Sequence, residues 1–227
     1  MLWYILVSFL LSVVSVFMIR RLFRRHGENY AVDAPQRFHH GAIPRLGGPG
    51  ICLGWLAGLM LALIVDNGLG RMHGVWISVP GVIAAVCVVV AVGTAEDLTQ
   101  KVSPRARLLL TAIAAGAVMF WLKLSVPYLD VDWLDGVWLQ WPVLGLILAF
   151  IGLVGLTHAF NLIDGYNGLA GLVAILIGLS YAYVSFKLGD REMLIMSVCL
   201  VAATAGFLVL NYPRGLIFAG DGGAYFW

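Results

Sequence analysis

Charge is scarce in this sequence. Only 11% of its 227 residues are Asp, Glu, Lys or Arg, while 61% are hydrophobic, and the mean hydropathy is +0.94. Soluble domains carry roughly 25% charged residues, so the shortage excludes an ordinary soluble globule and implies an integral membrane protein. Cysteine is scarce as well. Cys52, Cys87 and Cys199 lie singly inside apolar runs, share no metal-ligand spacing and read as small buried hydrophobes. There is no internal repeat, no low-complexity tract and no linker long enough to separate domains, so residues 1–227 read as a single polytopic membrane domain. Leu2–Met18 lacks the basic leader and small-residue cleavage site of a signal peptide, and its positive charges follow it. It is therefore expected to be the first membrane span.

What the chain has in quantity is long apolar runs. Seven approach the roughly 20 residues that a span needs: Leu2–Met18, Gly47–Val65, Val79–Thr94, Leu108–Leu124, Trp141–His158, Leu169–Phe186 and Met193–Leu210. The fold class expected is an all-α integral membrane protein of about seven transmembrane helices. Its connections then alternate sides. Those after the odd-numbered spans hold Arg20, Arg21, Arg24, Arg25, Arg37, Arg45, Lys101, Arg105, Arg107 and Arg214, ten of the fourteen basic residues. The positive-inside rule puts these in the cytoplasm and the N-terminus outside. Arg20, Arg21, Arg24 and Arg25 read as anchors to anionic headgroups. On the other side, Asp130, Asp132 and Asp135 with Trp133, Trp138 and Trp141 suggest a short amphipathic segment at the interface.

The unusual polar groups all fall on the predicted cytoplasmic side. They are Arg37-Phe-His-His40 running on to Pro44-Arg-Leu-Gly-Gly48, then Glu96-Asp97 with Lys101, then Asn161-Leu-Ile-Asp164-Gly-Tyr-Asn167, then Gly220-Asp221-Gly222. Asn161 and Asp164 are three apart, so one helical turn puts both on one face. Carboxylates and carboxamides where apolar segments end need a reason; they suit Mg²⁺, or a phosphorylated ligand that a metal bridges. Simpler readings stand beside this one. Asp164 and Asn167 are ordinary turn residues, Glu96-Asp97 with Lys101, Arg105 and Arg107 fits a solvated charged loop, and His39 and His40 fit a loop shaped next to Pro44.

Together these motifs, in this order, resemble the polyprenyl-phosphate N-acetylhexosaminyl-1-phosphate transferase superfamily (glycosyltransferase family 4). The resemblance rests on Pro44–Gly48, Glu96-Asp97, Asn161–Ala170 and Phe218–Gly223 and spans nearly the whole chain. It implies transfer of a sugar-1-phosphate, by default GlcNAc-1-phosphate, from a UDP-sugar to undecaprenyl or another polyprenyl phosphate, with release of UMP, at the inner face of a bacterial cytoplasmic membrane. It also implies Mg²⁺ (or Mn²⁺), with Asp221 as metal ligand and Asp97 as second ligand or as the group orienting the lipid phosphate. Glu96, Asp97 and Asp164 become the catalytic candidates. Asn161, Asn167, Lys101, Arg45 and His40 become the substrate-binding ones. Partners implied are the lipid phosphate, the UDP-sugar and the membrane, with no nucleic acid. Three departures are visible: Glu96 stands where the family has a first Asp, Asn167 stands where it has a second, and the chain stops at Trp227, so a truncated family domain is expected. A transporter and an intramembrane aspartyl protease are the alternative readings.

Overall fold

The computed structural model describes residues 1–24, 43–68 and 79–227. Its helices are α1 (Leu2–Leu22), α2 (Gly47–Gly68), α3 (Val79–Thr99), α4 (Pro104–Leu122), α5 (Asp132–Gln140), α6 (Val143–Ile163), α7 (Leu169–Leu188), α8 (Arg191–Asn211) and the single turn α9 (Gly220–Ala224). Hydrocarbon offers no partner to a free N–H or C=O, so an apolar run of this length satisfies its backbone internally as helix. Seven of the helices are long and apolar enough to span a bilayer. The protein is an all-α, multi-pass membrane protein, as the hydropathy pattern predicts. The segment with the three Asp and three Trp residues forms a short helix, α5, with Trp133 and Trp141 exposed and the Trp138 indole donating to the Val126 carbonyl.

The predicted boundaries need one systematic correction. Helices α3 and α6 run past the apolar stretch by about a turn, and α4 begins before it. Glu96 and Asp97 therefore sit on α3, Arg107 on the first turn of α4 and Asn161 on the last turn of α6, all on helices and none in a loop. The start of α4 shows why: Ser103 accepts the Ala106 N–H and Pro104 occupies the first helical position. A helix also holds a side chain more firmly than a loop does, which matters for the geometry below.

The packed half of the bundle is α1, α2, α7 and α8. Along α1 the buried positions are Tyr4, Ser8, Ser12 and Val16, one every four residues. This small-residue seam lets backbones approach closely, the usual way helices associate without a hydrophobic drive. A side chain at Gly58 would strike Ser8, and one at Gly206 would strike Ser12. Ser12 donates to the Ala203 carbonyl at 2.7 Å. Behind the seam, Ile51, Trp55, Leu59, Ile195, Cys199 and Phe207 form the main core. Cys52 and Cys199 are buried as expected, but Cys87 is exposed on α3. Away from the predicted cytoplasmic end, Asp66 is 1% exposed and takes the Tyr4 hydroxyl and two nitrogens of Arg191, each at 2.9 Å. That ion pair ties α1, α2 and α8 together.

At the opposite end, α9 is set into the bundle against α2, α3 and α6. Pro44–Gly48 runs alongside 218–219: Phe218 N–H donates to the Pro44 carbonyl, and Gly47 and Gly48 N–H donate to Phe218 and Ala219. The backbones come so close that a Cβ on Gly48 or Gly93 would overlap the Gly222–Gly223 main chain.

Candidate active site

Four acidic side chains lie buried around the Gly-Asp-Gly turn. Glu96, Asp97, Asp164 and Asp221 are each 8% exposed or less. Charges are costly to bury unless paired, so each needs an account of what it touches.

Asp97 is the cradle. Its two carboxylate oxygens accept the backbone N–H groups of Asp221, at 2.9 Å, and Gly222, at 3.1 Å. Asp164, capping the end of α6, accepts the Gly220 N–H at 2.8 Å. Three consecutive amides of the turn are thus fixed by two carboxylates, one from α3 and one from α6. Gly220 has φ +72°, and a side chain there would strike the Arg45 carbonyl and the Asp97 carboxylate. Only glycine fits that position.

Asp221 is thereby aimed, and its carboxylate is gripped from three elements. Asn161 on α6 donates its side-chain amide to Oδ1. Arg107 on α4 donates to Oδ2 at 3.0 Å, and Tyr225, four residues on, donates its hydroxyl to the same oxygen at 3.1 Å. Burial first, then the Asp221 charge, pushes the Tyr225 phenol well above its usual range, so it stays a donor. Glu96 on α3 reaches the loop that follows, taking the Val102 N–H at 2.8 Å, and stands 4.0 Å from Arg107.

The surroundings of Asp164 bring its titration near neutrality. Burial raises it from 3.8 to about 7; the turn's N–H groups and the Arg45 charge pull it back in part, and Asp221 adds a further upward push. Arg45 is half-buried beside this acid, so the first and third motifs meet.

Several predicted site residues therefore come together: Glu96, Asp97, Asn161, Asp164, Asp221 and Arg45. Others stand apart. Asn167 donates to the Pro213 carbonyl at 2.7 Å, bracing the turn after α6 against the turn after α8. Lys101 is exposed on the loop between α3 and α4. His40 falls in residues 25–42, outside the described residues. The contact that the sequence pattern did not reveal is Arg107. A signal for it existed: a basic residue in the first turn of a helix opposes the macrodipole and invites an anionic partner.

Among the described residues no three His, Cys, Asp or Glu side chains converge as a ready-made ligand cage. Mg²⁺ does not require one, because it is commonly held through one or two carboxylates, with waters and substrate phosphates completing its shell. The donors here are hard oxygens, and the Asp221 carboxylate stands among three further buried acids, Glu96, Asp97 and Asp164; that donor set fits a divalent cation bound through Asp221.

Residues 79–227 match glycosyl transferase family 4. The chain belongs to that family. The family 4 match begins at α3 and takes in Asp97, Arg107, Asn161, Asp164 and Asp221. Over 229 residues, 98% of the chain, it is 31% identical to a Bacillus subtilis protein named as a probable undecaprenyl-phosphate N-acetylglucosaminyl 1-phosphate transferase. It is 34% identical over 122 residues, 52% of its length, to the phospho-N-acetylmuramoyl-pentapeptide-transferase of Moorella thermoacetica. A Streptococcus agalactiae protein of the same name is 21% identical over 96% of the chain. The chain spans 60% of the length of the Bacillus protein, 36% of the Moorella protein and 67% of the Streptococcus protein.

Proposed function

We propose that this family 4 chain carries the catalytic centre of a phosphoglycosyl transferase, which moves a HexNAc-1-phosphate from a UDP-sugar onto a polyprenyl phosphate. The observation that carries the reading is the aimed Asp221 carboxylate. It is cradled through its own backbone by Asp97, gripped by Arg107 and Asn161, and set at one end of a membrane bundle where a lipid headgroup and a soluble nucleotide can meet. The relatives' names point the same way. So does the placement of the polar groups, since the acids of α3 and α6 lie at the helix ends and not in mid-span.

In this reaction an oxygen of the lipid phosphate forms a bond to the β-phosphorus of the UDP-sugar. The bond from that phosphorus to the bridging oxygen breaks, and UMP leaves with the electron pair. Both reactants are anionic, so positioning and charge stabilisation are most of the task. Mg²⁺ held through Asp221 would supply a Lewis acid for the phosphate oxygens. Arg107 and Arg45 offer guanidinium groups to phosphates, and exposed Lys101 offers a mobile cation at the rim. Asn161 holds the Asp221 carboxylate in one orientation. Asp97 and Asp164 keep the turn in register, and Asp164 can also take or release a proton near neutral pH. The active face is cytoplasmic and the membrane is the bacterial inner membrane, as the basic residues suggest.

The test uses membranes containing the full-length gene product, a labelled UDP-HexNAc and undecaprenyl phosphate, with and without Mg²⁺. Metal-dependent UMP release is expected, falling about 10²–10³-fold in Asp221→Asn, the range for losing one preorganised electrostatic group. Wild-type turnover by Asp221→Asn would remove the site assignment. No UMP release from any UDP-sugar would remove the activity.

A further inference from the structure

We propose that His158 is a positioning residue: its Nε2–H, donated to Thr111, bolts α4 to α6 and thereby holds Arg107 and Asn161 at the spacing that grips Asp221. His158 lies in the apolar run of α6, where the sequence gives it no evident task. In the structure its Nε2 is 3.1 Å from the hydroxyl of Thr111 on α4. Thr111 is 5% exposed, and its oxygen is also 3.0 Å from the carbonyls of both Arg107 and Leu108.

Proton counting fixes the direction of the bond. A threonine hydroxyl has one proton and two lone pairs. Two carbonyls at 3.0 Å take that proton in the familiar back-bond of a helical threonine. Were it given to the imidazole instead, the hydroxyl oxygen would face two carbonyl oxygens with no proton between them. Thr111 therefore accepts, and His158 donates from Nε2. The neutral ring carries its proton there, and Nδ1 holds the lone pair.

The placement gives this bond its effect. Thr111 is four residues beyond Arg107, and His158 is three before Asn161, so each is one turn from a residue that holds Asp221. The bolt joins the two helices one turn deeper in the bundle than the grip itself. The same imidazole stands edge-on to Tyr225, centroids 6.0 Å apart at 68°, and Tyr225 is the third donor to Asp221. One side chain thus sets all three. Only 17% of each of the neighbouring α4 and α6 spans is buried among the described residues, so few other contacts within them define their separation.

Two measurements test this, the first independent of any activity. Full-length protein labelled with ¹⁵N-histidine, in mildly alkaline buffer, should show His158 as the Nε2–H tautomer. Thr111→Val should release it into tautomer exchange, while Thr111→Ser should keep the wild-type signature. The second rests on the transferase reading: His158→Phe and Thr111→Val should each lower kcat by about tenfold to a hundredfold. The double variant should be no worse than either, KM for the UDP-sugar should change little, and Thr111→Ser should restore the rate. An Nδ1–H ring in the wild type, or losses that simply add, overturns the proposal. If His158→Phe does not fold, the paired Thr111 variants and the wild-type tautomer still decide. If no transfer is detected at all, the transferase reading falls while the spectrum still judges the bolt.

Discussion

Asp97 holds Asp221 by its backbone, not by its side chain: the two oxygens of one carboxylate take the Asp221 and Gly222 amides at 2.9 and 3.1 Å. A carboxamide cannot copy this role, because an asparagine side chain would present one acceptor and one donor to two donors. Asp97→Asn should therefore lower stability by about 1–3 kcal/mol, the cost of a buried group left unsatisfied, and should also lower turnover. Asp221→Asn should cost turnover with a smaller loss of stability. Thermal unfolding in a mild detergent separates them. Equal, small shifts in both variants would return Asp97 to a purely catalytic role.

The clasp at the other end makes a contrasting case. Asp66 is 1% exposed and depends on Arg191 and Tyr4. Arg191→Met removes the cation from a buried carboxylate, which costs up to about 3–5 kcal/mol where both partners are buried. The Arg191 side chain is 42% exposed, so solvent screening reduces the expected loss to about 2 kcal/mol, with kcat of the folded fraction unchanged. Pairing it with Asp66→Asn should recover most of the stability. A kcat loss in Arg191→Met would show that the two ends of the bundle are coupled.

How much of this could be read from the residues depends on the kind of force involved. Hydropathy is additive along a chain, so the seven spans and even the amphipathic α5 were legible. The helix ends were not, because a helix continues for its own backbone's sake after the apolar run stops; hence Glu96, Asp97 and Asn161 belong to helices. The convergence of four motifs was legible from alternation and from family resemblance. Individual contacts were not. Arg107 looked like a member of a solvated charged loop, and only the capped start of α4, which turns it towards Asp221, reveals its partner. Thr111 and His158 are 47 residues apart, and each looks bland among its neighbours. Asn167, which the motif places with the site, is drawn off to Pro213 because its turn needs a brace there. Membership in family 4 leaves the transporter and protease readings without support.

Asp164 predicts a pH dependence. Its folded value of about 7 lies above the ordinary 3.8, so the folded state holds a proton that the unfolded chain releases between those values. Stability from this group is greatest below about 4, declines as pH rises towards 7 and is level above it. Asp164→Asn keeps an acceptor for the Gly220 amide and has no proton to lose. The variant should flatten that segment of the stability profile and be relatively more stable at pH 8 than the wild type. An unchanged slope between pH 4 and 7 would mean that another group titrates there.

The Arg107 guanidinium yields the most discriminating prediction, because it both serves the site and competes within it. With Arg45 it supplies the cationic charge beside the buried acids, and it spans Asp221 at 3.0 Å and Glu96 at 4.0 Å. Arg107→Gln removes a cation that would stabilise phosphate charge, so turnover should fall by about 10²-fold, as for other electrostatic groups in a water-poor site. It also frees Asp221 and leaves the local charge more negative, so Mg²⁺ should half-saturate the residual activity at a lower concentration than in the wild type. Arg107→Lys keeps the charge without the fork and should fall between the two on both measures. UMP release titrated with Mg²⁺ in the three proteins reads this directly. If Arg107→Gln needs more metal and not less, Arg107 is helping to hold the ion's ligands in place, and the competition argued here is wrong.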